Sequence, residues 1–257
     1  MKVIRNFQKY YKNNGRIARI SGKRCRVFEG EEIGLDIDIE SLICPLRYDI
    51  RVRINFYNYY EQNRKLYEND LNSFLEGSPA RAYYKWYKED NLRLYRPKIY
   101  HQENRVNSYF LKKVKNAVKL FESIKQKGYD TTFPIRLKTG KTIIHENKKK
   151  LCATYYAGDG CHRLACLYCL GFKYLPKSHY IVTLRKKCIP NDSTHYLIRK
   201  IPLSTEEYFR FISSYYCEGR EFINLQDIID YLNLRRPDKL DEVLSVIHED
   251  MKSFAEI

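Results

Sequence analysis

Between residues 158 and 163 the chain reads Gly-Asp-Gly-Cys-His-Arg, and an apolar helical pattern begins directly behind it. That order of residue types suits an anion. The first turn of a helix holds N–H groups without intrahelical partners, and the helix dipole adds partial positive charge there. Gly158 and Gly160 allow a close approach of backbone to a phosphate. Arg163 offers a planar fork matched to phosphate oxygens, and His162 adds a donor that protonation makes cationic. Cys161 stands at or beside the N-cap, as a source of a backbone N–H or as a nucleophilic thiol. Asp159 is the odd member, because a carboxylate repels phosphate. It fits as a metal ligand, as the acceptor of a proton from a substrate hydroxyl, or as a turn cap. A plainer reading stands beside these: a GDG turn with Asp159 as an ordinary cap and Arg163 in a surface salt bridge.

Elements must hold this loop in place. Residues 15–40 read as short strands broken by glycine, GRIARISG, KRCRVFEG and then IGLDIDIESLI, which Pro45 stops. A helical stripe runs from Ile54 to Leu75, and ARAYYKWYKED repeats the spacing. The polar stretch that follows, to about Asn107, reads as an insertion or a loop. Residues 108–127 make an amphipathic helix, with Ser108 placed to cap it and Gly128 to close it. FPIRLK, KTIIHE and LCATYYA are expected strands. They lead to the GDG turn, a helix over 161–170 with Gly171 at C′, and a strand HYIVTLR. Beyond Pro202 come three amphipathic helices, with Asn224 and Pro237 marking two of the starts.

Bulk properties narrow the class. At 257 residues, with 44% hydrophobic and 30% charged residues, the chain can bury a core, and wholesale disorder does not fit. No apolar run approaches the roughly 20 residues of a membrane span, and the first residues lack the apolar stretch of a signal peptide, so a cytoplasmic location is expected. The net charge is +16, but nine acidic and four basic residues lie in 221–257, so the first 220 residues carry +21. Such a surface favours polyanions, nucleic acid among them, or serves solubility alone. The eight cysteines show no recurring CxxC pair, which gives a four-thiolate zinc site little support. Cys161, Cys166 and Cys169 have an iron–sulfur spacing. In a helix, however, Cys161 and Cys166 stand about 140° apart and do not meet on one ion.

The motifs SIKQKGYDTTFPIRL and GDGCHRLACLYCLGFKYLP, in that order, resemble the ParB/sulfiredoxin superfamily. IDIESLICPLRYDI resembles its opening strand and proline turn. The resemblance covers residues 36–50 and 118–185. It implies an α/β (α+β) domain, with a mixed sheet and helices, whose glycine–arginine loop binds nucleotide phosphates. The branches differ in chemistry. Cys161, His162 and Arg163 match the GGCHR of sulfiredoxins, which use a catalytic cysteine and ATP. Asp159, Gly160, His162 and Arg163 match the DGHHR of free-serine kinases. ParB proteins bind CTP and carry a helix-turn-helix for DNA. The glutamate that the kinases place after the opening proline has no counterpart here. Asp49 is the nearest carboxylate, readable as a base or as a partner of Arg47 or Arg51, and Arg47 is readable as a second anion contact.

The sequence thus leads to a ParB/sulfiredoxin-like domain over 1–203, with a helical insertion at about 54–132, and a helical appendage over 204–257. The leading expectation is phosphoryl transfer from ATP or a related nucleotide, with Mg²⁺, to a small hydroxyl-bearing acceptor. Gly158, Gly160, Cys161, His162, Arg163 and Arg47 would bind the nucleotide. Asp159, His162 and Asp49 would be catalytic, with Asp159 also the metal ligand. The rivals are a nucleotide-dependent nucleic-acid-binding protein without turnover, using the basic residues of 1–220, and a Cys161-dependent reaction of the sulfiredoxin kind. Against a groove-reading role for the last helices, PDKLDEVLSVIHEDM is acidic at its polar positions.

Overall fold

A computed structural model describes residues 16–20, 23–43, 48–141, 155–187, 204–217 and 220–255. Arg47, His145 and most of the expected strand KTIIHE lie outside the described residues. Strands are β1 (Arg16–Ile20), β2 (Lys23–Glu29), β3 (Ile37–Asp38), β4 (Ile135–Lys141), β5 (Tyr156–Asp159), β6 (Tyr174–Leu175) and β7 (Tyr180–Lys187). The longer helices are α1 (Tyr48–Gln62), α2 (Ser78–Trp86), α3 (Glu103–Lys127), α4 (Cys161–Cys169), α5 (Thr205–Tyr216), α6 (Leu225–Arg235) and α7 (Leu240–Ala255). The fold is α/β, helices with a mixed sheet, as expected. It divides into two compact units, 1–44 with 117–190 and 45–116 with 191–257. The sequence pattern places the edges near 54, 132 and 204.

In the first unit, five strands form one sheet in the order β1-β2-β7-β4-β5. Only β4 and β7 run parallel; the other neighbours are antiparallel. Strand β7 is central, and its residues Tyr180, Ile181, Val182 and Thr183 are buried in succession, as a strand covered on both faces requires. Strand β4 alternates instead: Ile135, Leu137 and Thr139 are buried while Arg136 is exposed. The expected strand over IGLDIDIESLI shrinks to Ile37–Asp38, paired with β6. Asp38 ends it, because its carboxylate accepts the Glu40 N–H at 3.2 Å and starts a helical turn, Ile39–Leu42. Gly128, at φ 77°, closes α3, with its N–H on the Ile124 carbonyl.

The second unit is helical. The stripe from Ile54 to Leu75 breaks into α1, Arg64–Asn69 and Leu71–Leu75, with Asp70 accepting the Ser73 N–H at 3.0 Å as a new cap. Phe56, Tyr57, Phe74 and Tyr83 are fully buried, so these rings are core. The stretch before Asn107 is helical rather than a loop: a π-helical turn, Tyr87–Leu92, leads through two short helices into α3. Helix α3 starts at Glu103, five residues before Ser108. Val106 is buried, and Glu103 is held by the Tyr84 hydroxyl at 2.8 Å and Lys88 Nζ at 2.9 Å, contacts that periodicity does not register. Helices α5–α7 share a core of Tyr208, Ile212, Ile228, Leu232, Val243 and Ile247. Asn224 caps α6 through the Asp227 N–H at 2.9 Å, as expected. Pro237 opens a 3₁₀ turn ahead of α7.

Candidate functional site

Strand β5 runs straight into α4 through one residue, Gly160, and the geometry of that junction follows from its two glycines. The β4–β5 register pairs Arg136 with Asp159 and Leu137 with Ala157, which leaves Gly158 as a bulge. A side chain at 158 would meet Lys138 Cε at 2.8 Å and the Arg136 carbonyl at 3.2 Å. The bulge turns Asp159 toward solvent, where its carboxylate faces Arg136 Nε at 3.7 Å. Gly160 adopts φ 86°, a left-handed conformation that side chains disfavour, and a Cβ there would lie 3.0 Å from Arg163 Nη2.

Helix α4 has no side-chain cap. Its N-cap is Gly160, and the first intrahelical bond runs from the Leu164 N–H to the Gly160 carbonyl at 2.9 Å. The N–H groups of residues 161–163 precede that bond and point out of the helix end. Behind them Leu164, Ala165, Cys166 and Leu167 are fully buried and fix the helix against the sheet side of the unit. The helical run from Cys161 to Cys169 is the arrangement that excludes a three-cysteine cluster ligand set.

The structure brings Gly158, Asp159, Gly160, Cys161, His162 and Arg163 together on one turn. Asp159 Oδ1 accepts the Gly160 N–H at 2.7 Å, so one carboxylate oxygen shapes the loop. Cys161 and His162 are half-buried, and His162 Nε2 is shut off from solvent. Arg163 makes a contact that the sequence does not announce. Its Nη1 donates to the carbonyls of Phe133 and, at 3.4 Å, Pro134, and approaches the Tyr129 hydroxyl at 3.5 Å. The guanidinium therefore ties the loop to the turn before β4, with Nη2 lying over Gly160. Asp49 belongs to the other unit. It is buried in the first turn of α1, where its carboxylate holds Arg53 Nη1 at 2.8 Å.

Residues outside the motif complete the surroundings. Arg136 and Lys138 come to the loop from β4 through the β4–β5 register, which FPIRLK as a strand does not reveal. Tyr129 stacks on His179, with ring centroids 4.5 Å apart and planes at 15°. Burial pushes the Tyr129 phenol up to about 12, against the pull of Arg163. Burial also lowers the His179 imidazole, which Asp36 partly offsets. Among the described residues no group of three His, Cys, Asp or Glu side chains could hold a metal ion. Magnesium is commonly held by one or two carboxylates plus substrate phosphates, and Asp159 supplies one.

No protein-family model matches this chain, and no curated protein or solved structure does so either. Among the described residues no helix is long and apolar enough to cross a membrane.

Proposed function

We propose that the Gly158–Arg163 turn binds the phosphates of a nucleotide, and that the protein transfers a phosphoryl group from ATP or a related nucleotide to a small hydroxyl-bearing acceptor. The observation that carries this reading is the left-handed Gly160 at the N-cap of α4, flanked by Arg136 and Arg163. The likeness of GDGCHR to the ParB/sulfiredoxin loops supports the choice of a nucleotide over other anions. The N–H groups of residues 161–163 would receive phosphate oxygens. Arg163 would anchor the loop through Nη1 and present Nη2 to the ligand, with Arg136 as the second cation.

In the transfer, the acceptor oxygen forms a bond to the terminal phosphorus, the bond to the bridging oxygen breaks, and ADP leaves. The acceptor's proton passes to Asp159, whose carboxylate is exposed on the loop. Bound magnesium, held by Asp159 and the phosphates, would offset charge on the transferred group. Asp49, paired with Arg53 in the other unit, has no part in this scheme.

A thermal-shift panel of ATP, ADP, CTP and GTP, each with and without Mg²⁺, tests the binding. Detection of a phosphorylated acceptor tests the transfer. Stabilisation by a nucleotide that Gly160→Val abolishes is the expected result. No shift with any nucleotide overturns the reading. Binding without product in the presence of an acceptor panel leaves the site and removes the transferase.

A further inference from the structure

Helix α3 presents a cationic stripe to solvent, and we infer that this stripe is a binding surface for the phosphate backbone of nucleic acid. At about 100° per residue, Arg105, Ser108, Lys112, Lys115, Lys119, Ser123 and Gln126 fall within an arc about 80° wide. That arc lies opposite Val106, Phe110, Val114 and Phe121, which are buried. All seven are exposed. Four of them are basic, none is acidic, and the other three carry hydroxyl or amide donors that suit phosphate oxygens.

An ordinary solvated helix face mixes signs, with Glu and Lys paired three or four residues apart. Here Lys112, Lys115 and Lys119 follow one another at those spacings and repel. Among the described residues none of the three has an ion-pair partner or a hydrogen bond, in contrast to Lys85 and Lys88, which pair with Glu221 and Glu103. A face that costs stability in the free protein and gains it beside a polyanion points to charge complementarity as its use. From Arg105 to Lys119 the stripe runs about 21 Å along the axis, enough to follow several phosphates. Because it lies on one helix, its spacing is set by the helix alone. Contacts to phosphate oxygens carry no base identity, so the binding is independent of sequence.

The test uses the full chain and a fluorescently labelled single-stranded oligonucleotide of mixed sequence, with its duplex in parallel, followed by anisotropy from about 50 to 300 mM salt. Joint replacement Lys112→Gln, Lys115→Gln and Lys119→Gln is expected to weaken binding at least about ten-fold at low salt. The slope of log affinity against log salt should fall by about 2 to 3. Replacing the same three by arginine should keep both. Lys65→Gln, Lys98→Gln and Lys173→Gln, which remove the same charge elsewhere, should leave the slope near the parent's. The inference is overturned if the parent binds neither oligonucleotide, if the stripe variant keeps the parent's slope, or if the control triple loses as much. Binding to anionic phosphatidylserine vesicles with no binding to either oligonucleotide would also overturn it, in favour of a membrane surface.

Discussion

Arg163 shows how one side chain can be committed to fold and ligand together. A guanidinium has five donors, and here one nitrogen holds the carbonyls of Phe133 and Pro134 while another lies over Gly160. Arg163→Ala is therefore expected to lower stability by about 1–3 kcal/mol, since two carbonyls lose a charged donor, and to weaken nucleotide binding as well. Arg163→Lys should recover only part of either, because an ammonium cannot bridge the two positions. Urea denaturation and nucleotide titration of the same variants check both losses. A variant that loses affinity at full stability would mean that the carbonyl contacts are dispensable. A second residue-scale expectation concerns His179. Its imidazole is depressed by burial against Tyr129, so the unfolded chain takes up its proton at higher pH than the folded one. The stability it contributes is present above the ordinary value near 6.5 and is lost as pH falls through the lower folded value. Melting temperature followed from pH 8 to 5 should drop in the parent and drop less in His179→Phe, which keeps the stack without the titration.

At the scale of elements, α1 and α2 are joined by a charged cluster inside an aromatic core. Asp49 holds Arg53, the guanidinium of Arg53 lies 4.1 Å from the Trp86 ring centre, and the Trp86 indole donates to Asp90 at 2.9 Å. All four are buried. Asp49→Ala removes a carboxylate that the buried Arg53 holds at 2.8 Å and is expected to cost about 3–5 kcal/mol. Trp86 is the chain's sole tryptophan, so its emission reports this unit directly. An unchanged emission midpoint in denaturant would contradict this expected loss. This cluster also marks where sequence reading stops. Asp49, met beside Arg47 and Arg51, could be read as a base or as a partner of either, and the structure adds a partner one helical turn on, Arg53. Helix α4 and the strands around it were legible because glycine, proline and alternation are local signals. The helical character of 87–107 was not, since Tyr84, Lys88 and Glu103 stabilise it through contacts far apart in sequence. The same holds at the site. The motif could be read directly from 158–163, whereas Arg136, Lys138 and the Phe133 turn joined it only through strand pairing and the reach of Arg163.

On the scale of the whole molecule, helices α5–α7 carry their own core, with Ile228 and Leu232 fully buried in it. Ile228→Ala should cost about 2–5 kcal/mol in that core and leave nucleotide affinity where it was, which denaturation and titration measure side by side. A parallel loss of affinity would show that these helices support the loop. The sheet of the other unit has a different character. Its central strand, β7, is the last of the five in the chain, and it pairs with both β2 and β4: Val27 sits opposite Thr183, and Leu137 opposite Val182. Strands β1 and β2 can form a hairpin early, yet their remaining edge waits for a strand made long after, with residues 45–116 of the helical unit synthesised in between. At ordinary translation speeds of about 5–20 residues per second, that wait lasts many seconds. During it the β2 edge, with Val27 and Phe28 uncovered, is open to pairing with other nascent chains. The order of strands in this sheet thus makes the protein's birth, rather than its mature state, the time when it most needs a chaperone.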